Sequence, residues 1–116
     1  MMRRGGIHSV DLDPVVVSEA NKRRPAIIVS NDGANLTATR LGRGVVTVVP
    51  VTSNIERVYP FQVFLPAGLT GLERDSKAQA EQVRSVVVAR IGSKLGVVPN
   101  DQMSRLDEAL RLHLGL

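Results

Sequence analysis

Short apolar and β-branched runs of four to seven residues, separated by turn-forming stretches, dominate the chain and predict a compact antiparallel β domain. Strands are expected near Ile7 to Leu12, Ala26 to Ser30, Val45 to Val51, Gln62 to Leu65, Lys77 to Gln82 and Ser85 to Ile91. The second and third contain the near-continuous apolar segments AIIV and VVTVV, the pattern of strands covered on both faces, and are read as central. Between them, Asn31 to Gly44 is polar and rich in Asn, Gly and Thr, which predicts a short helical turn. Longer loops are expected at Asp13 to Arg24 and Ser53 to Pro60, and loops on a rigid β scaffold are where binding and catalytic groups concentrate. At the C-terminus Met103, Leu106, Leu110 and Leu114 recur at helical spacing, with Asn100 or Asp101 available to cap. One helix face is expected to pack on the β domain, and the mixed Arg105, Asp107, Glu108 and Arg111 face reads as solvated.

Composition narrows the chemistry. The 116 residues, 43% of them hydrophobic, suit one domain spanning positions 1–116. With no cysteine there is no disulfide framework, thiolate zinc site or cysteine nucleophile. No run approaches the roughly 18 apolar residues of a membrane span, and the N-terminus moves from basic to acidic without an apolar signal region, so the cytoplasm is the expected compartment. Fifteen basic against eleven acidic residues give a net charge of +4, and the cluster Lys22, Arg23 and Arg24 makes a polyanionic partner a natural expectation.

Three segments carry candidate chemistry. In the first, Pro25 fixes its own φ and biases Arg24 away from helix, so Arg24 is held where a polar loop enters a buried strand. Its planar guanidinium stays charged and contacts two phosphate oxygens at once. The second, Pro50-Val51-Thr52-Ser53-Asn54, places small hydrogen-bonding side chains at a strand end, where such residues commonly satisfy local backbone groups. In the third, Ala80 to Ser85, strand alternation would put Glu81 and Val83 on one face and Gln82 and Arg84 on the other. Glu81 would then stand beside the core, which requires either a cation such as Arg24 or a bend in the strand.

Taken in order, these pieces resemble the MazF/PemK/Kid toxins. The likeness runs through Arg3-Arg4-Gly5, Ile7, Asp11-Leu12, Ser18-Glu19 and Arg24-Pro25-Ala26-Ile27-Ile28-Val29-Ser30-Asn31-Asp32. It continues through Val49-Pro50-Val51-Thr52-Ser53, Tyr59-Pro60-Phe61, Asp75-Ser76, Glu81-Gln82-Val83-Arg84-Ser85 and Leu106-Asp107-Glu108-Ala109-Leu110. The resemblance implies an SH3-like antiparallel β-barrel with a C-terminal helix, a homodimer, cleavage of single-stranded mRNA at a short sequence, and inhibition by a cognate MazE-like antitoxin. It also implies that Arg24 and Thr52 act on the scissile phosphate, that Ser18 lies near it, and that Glu81 is functional in some members. Lys22, Arg23, Ser53, Asn54, Gln79 and Arg84 are the expected RNA-binding positions, with neither metal nor cofactor.

Three departures stand out. His8 replaces a usual packing aromatic in Arg4-Gly5-Gly6-Ile7-His8, and Val17 replaces a usual glycine before Ser18-Glu19, which predicts a different path for the first loop. Gln79 stands where some relatives carry an arginine, so a mechanism needing that arginine does not transfer.

The chemistry expected is attack by the substrate's own 2′-hydroxyl, leaving a 2′,3′-cyclic phosphate and a 5′-hydroxyl, because the acidic residues are scattered and form no two-metal cluster. Arg24 would stabilise phosphorane charge, Thr52 would hold a phosphate oxygen, and Glu81 would serve as base. A His8 and His113 acid–base pair is a rival assignment. A toxin of related fold that binds a protein such as DNA gyrase, or an RNA-binding module without activity, are the alternatives, and the Arg-Pro loop joined to Pro-Val-Thr argues against the former. Only Tyr59, Phe61 and Phe64 are aromatic, so stacking contributes few platforms and selectivity must rest on polar contacts.

Overall fold

A computed structural model describes residues 2–12 and 23–116. Seven strands form one sheet: β1 (Gly6–Asp11), β2 (Arg23–Ile28), β3 (Val45–Thr52), β4 (Gln62–Leu65), β5 (Ser76–Gln79), β6 (Arg84–Val87) and β7 (Ile91–Val97). Helix α1 (Asp32–Leu41) joins β2 to β3, the one-turn α2 (Ala67–Thr70) follows β4, and α3 (Asn100–Leu114) closes the chain. The strand order is β4-β5-β3-β2-β1-β7, every ladder is antiparallel, and β6 also pairs with β3. The mainly β class with a C-terminal helix is therefore as expected. Among the described residues the ladders leave the sheet open between β4 and β7, where a closed barrel was expected.

β2 and β3 are covered on both faces. Alternation sends Ile27, Val29, Val49 and Val51 into a cluster with Ile7, Val63, Leu65, Ala78, Leu106 and Ala109, under α3. The intervening Ala26, Ile28, Val46 and Val48 join Val10, Leu12, Val86 and Ala38 on the opposite face, under α1. Along β3, the first half pairs with β6 (Val45 to Val48) and the end pairs with β5 (Val51, Thr52), while β2 runs along its other edge.

Several boundaries differ from expectation for physical reasons. Residues 31–44 hold a full ten-residue helix, because Asn31 caps it by accepting the Ala34 N–H at 2.8 Å and Gly42 ends it at φ 65°. Its polarity disguises it: buried Asn35 is satisfied by donating to the Ser30 carbonyl at 2.9 Å and bonding the Ser30 hydroxyl at 2.5 Å. β5 ends at Gln79, and residues 80–82 form a 3₁₀ turn, so of the two ways to accommodate Glu81, a cation or a bend in the strand, the chain takes the bend. A second 3₁₀ turn, Val88–Arg90, cuts the expected last strand, and the chain continues into β7, whose Gly, Ser and Lys hide it from a hydropathy pattern. Pro99 takes the N-cap position of α3, which places Asn100 and Asp101 inside its first turn. Gly96 on β7 lies against the Thr70 carbonyl so closely that any Cβ would collide with it.

The site of the missing aromatic is filled differently. His8 is buried, and its Nδ1 donates to the Gly92 carbonyl on β7 at 3.0 Å, which assigns the proton to Nδ1 because a carbonyl can only accept. Arg4 ties the chain's start to three elements. Its N–H donates to Asp32 at the head of α1, its Nε to the Val29 carbonyl, and its Nη2 to Asp107 of α3 at 2.6 Å. The Asp32 carboxyl is held below the usual aspartate value, first by that N–H from Arg4.

Leu106 is the fully buried contact by which α3 covers the sheet. Leu106→Ala is expected to cost about 2–5 kcal/mol of stability, measured by urea unfolding with an unchanged m-value.

Candidate active site

The outward row of the sheet begins where the two-sided burial of β2 and β3 stops. Ala26 pairs with Pro50 at the end of the β2–β3 ladder, and by strand alternation Arg24 and Thr52, each two residues beyond, share the face of that pair. Thr52 is paired on its other side with Lys77 of β5, which in turn faces Phe64 of β4. One turn of alternation back, Pro50 and Gln79 share the same face.

A groove of about 380 Å³ is lined by Leu12, Arg24, Pro50, Gln79, Gln82 and Arg84. Among the described residues its lining holds two guanidinium groups and two amides, with no carboxylate. Arg84 spends one donor on the Leu12 carbonyl at 2.9 Å, which anchors its guanidinium and leaves four N–H bonds for a ligand. Among the described residues Arg24 is exposed and takes no hydrogen bond or ion pair. The Thr52 hydroxyl accepts the Asn54 N–H at 3.2 Å and keeps its own proton to donate. Such a row suits a phosphodiester: charge from two sides, a hydroxyl donor between strands, and amides for sugar or base edges.

The structure thus brings Arg24, Gln79 and Arg84 into one groove with Pro50, and Thr52 lies two residues further along β3. Ser18 and Lys22, together with Val17 and the rest of residues 13–22, lie outside the described residues. Arg23 is separated from its neighbour by strand alternation. It lies across the sheet from Arg24, donating to the Ser9 hydroxyl at 3.2 Å and packing so tightly on Gly92 that a methyl there would collide. Ser53 likewise falls on the other face, in a cavity of about 500 Å³ with Pro25, Val51, Arg74 and Lys94. Asn54 shapes the turn after Thr52 by accepting the Glu56 N–H at 3.3 Å.

Glu81 does not meet Arg24. The 3₁₀ turn points it toward β4, where Oε2 accepts from Gln62 Nε2 at 2.8 Å and Oε1 is buried without a partner. That bond fixes the Gln62 amide so that its oxygen accepts the Tyr59 N–H at 3.1 Å. Glu81 thus lies outside the groove lining, bonded to Gln62, and its expected part as base at the phosphate draws no support from this geometry. Neither histidine lines the groove: His8 is buried between β1 and β7, and His113 is exposed on the last turn of α3. Sequence reasoning missed Gln82 and Leu12 as groove walls, although Gln82 stands inside the quoted Glu81 to Ser85 motif. It also missed Lys77, whose only signal is its alternation with Gln79.

The family model of PemK-like, MazF-like toxins of type II toxin-antitoxin systems matches residues 3–114, and the chain belongs to that family. It is 64% identical over 116 residues to the endoribonuclease MazF9 of Mycobacterium tuberculosis, covering 100% of this chain and 98% of that protein. It is 32% identical to the endoribonuclease EndoA of Bacillus subtilis over 118 residues, covering 100% of this chain and 97% of EndoA. Among solved structures, MazF of Deinococcus radiodurans superposes with a TM-score of 0.75 at 27% identity, over 98% of this chain and 96% of that one. A MazE–MazF crystal structure from the same organism superposes with a TM-score of 0.73 at 26% identity, over 98% and 95% of the two chains.

Proposed function

We propose that the endoribonuclease activity of this toxin is a metal-independent transesterification in the groove between Arg24 and Arg84. The observation that carries this reading is the groove's lining among the described residues, two arginines and two glutamines with no acidic side chain, on the face that also bears Thr52. A single-stranded mRNA lies across the face with its scissile phosphate between Arg24 and Thr52. The 2′-hydroxyl attacks phosphorus, the bond to the 5′-oxygen breaks, and the products carry a 2′,3′-cyclic phosphate and a 5′-hydroxyl. Arg24 neutralises the charge that develops on the phosphorane oxygens, and Thr52 donates to one of them. Arg84 holds an adjacent phosphate, while Gln79 and Gln82 meet sugar or base edges. With Glu81 committed to Gln62, charge stabilisation at phosphorus becomes the main catalytic contribution. A permanently cationic guanidinium suits this electrostatic part better than proton transfer. Ser18 is proposed to complete the phosphate site from the first loop, with Lys22 extending the basic path.

The toxin is read as a cytoplasmic homodimer restrained by a MazE-like antitoxin, in keeping with the MazE–MazF assembly solved for its Deinococcus relative. No helix among the described residues is long and apolar enough to cross a membrane. An acidic antitoxin segment would compete with RNA for the same arginines.

Arg24→Ala is expected to lower single-turnover cleavage of a long transcript by about 10³-fold or more while circular dichroism and melting stay unchanged, and Arg24→Lys should recover little of it. Near wild-type cutting by Arg24→Ala would overturn the site. Cleavage should persist in excess chelator, give cyclic-phosphate and 5′-hydroxyl ends by mass spectrometry, and stop with a single deoxyribose at the cut. Glu81→Gln should retain cleavage within about 10-fold with the same pH profile, since an amide oxygen still accepts from Gln62; loss of the reaction at every pH would restore Glu81 as base.

A further inference from the structure

Lys77 is a buried cation in an unusual setting. It is 8% exposed, stands on β5 directly opposite Thr52, and has no carboxylate within ion-pair distance among the described residues. Its ammonium donates to the Arg57 carbonyl at 2.6 Å and lies 5.9 Å from the centre of the Tyr59 ring. The carbonyl dipole and the ring face compensate its desolvation in place of a counter-ion. Arg57 and Tyr59 belong to the loop that leaves the sheet after Thr52 and returns at Gln62. The same ring carries the Arg57 guanidinium at 5.6 Å and is stacked on Phe61 with centroids 5.3 Å apart. At the loop's far end Gln62, oriented by Glu81, receives the Tyr59 N–H.

We infer that Lys77 is a positioning residue that pins the middle of the loop 53–60 to the row bearing Thr52, and that this pin sets which RNA sequences are accepted at the cut. The inference rests on the assignment of Arg24 and Thr52 to the scissile phosphate. A loop held only at its two strand ends samples many paths. A third attachment halfway divides it into two short spans and fixes the side chains and backbone that flank the phosphate. Arg24 and Thr52 sit on strands whose register depends on other contacts, so removing the pin changes substrate selection more than chemistry.

The test uses Lys77→Met, which keeps the stem and removes the ammonium. Tyr59 is the single tyrosine in a chain without tryptophan and is 40% exposed, so its emission reports the loop in the free protein, without RNA. The variant is expected to raise acrylamide quenching of Tyr59 by about 2-fold, raise KM for the preferred site by about 10-fold with kcat within about 3-fold, and broaden the map of cut sites on a long transcript. Lys77→Arg, which keeps a cationic donor, should return the map toward wild type. Unchanged quenching would overturn the pin, and increased quenching with an unchanged cut map would overturn its part in selection. If Lys77→Met melts below assay temperature, Lys77→Gln carries the same two readouts. A failure of the phosphate assignment shows separately, as cutting by Arg24→Ala, and leaves the quenching result standing.

Discussion

The structure depends on burying both faces of the β2–β3 pair. Successive residues of a strand point to opposite faces, so Ile27 and Val49 enter one cluster while Ala26 and Val48 enter the other. A slip of one residue would send every apolar side chain to the wrong cluster and each polar one inward, which fixes the register from two sides at once. The same constraint fixes the reactive row. Arg24 and Thr52 lie two residues beyond the paired Ala26 and Pro50, on the same face as that pair. Their placement is inherited from the core.

Electrostatics then operates on a surface whose shape is already set. Arg84 is held to the Leu12 carbonyl and Arg24 is left unpaired among the described residues, so one guanidinium is a fixed wall and the other is an available charge. Strand alternation keeps Arg23 away, turned to Ser9 on the opposite face, so adjacent arginines serve different surfaces. An acidic side chain in the groove would pair with Arg24 and compete with phosphate, and among the described residues the lining contains none. Both glutamines are neutral and able to donate, which adds hydrogen bonds without cancelling the field.

Much of this was legible in the chain. AIIV and VVTVV announced the doubly buried strands, the Arg24-Pro25 step announced an anchored arginine, and the spacing of Leu106 and Leu110 announced α3. What stayed hidden has physical causes. Helix α1 is built on a capping Asn31 and a satisfied buried Asn35, so its stabilising groups are polar and leave no apolar stripe. β7 is held by pairing with β1 and close packing of Gly96 on Thr70, which a pattern of hydrophobicity cannot register. Alternation set Glu81 on the face opposite Gln82 and Arg84 and required a cation or a bend. The chain takes the bend, a 3₁₀ turn at 80–82 that directs Glu81 to Gln62, a partner no spacing rule announces, while Gln82 and Arg84 line the groove.

Glu81 and Lys77 show why the two halves of the site are built differently. Stabilising charge on a phosphorane requires donors that do not move as the charge develops, and strands with a doubly determined register supply that rigidity. Choosing among RNA sequences requires a surface whose contacts are adjustable, since bases differ by only a few hydrogen-bonding groups. A loop can be adjusted without disturbing the sheet if it is tied down by side chains reaching out from the sheet. Lys77 from β5 and Gln62 from β4, the latter set by Glu81, are such ties, and both attach to backbone groups of the loop. Side chains at positions 54–59 can therefore vary while the ties persist, because a carbonyl at Arg57 and an N–H at Tyr59 survive most substitutions there. Rate and selectivity thus rest on separate physical supports, packed register for the first and backbone-directed tethers for the second.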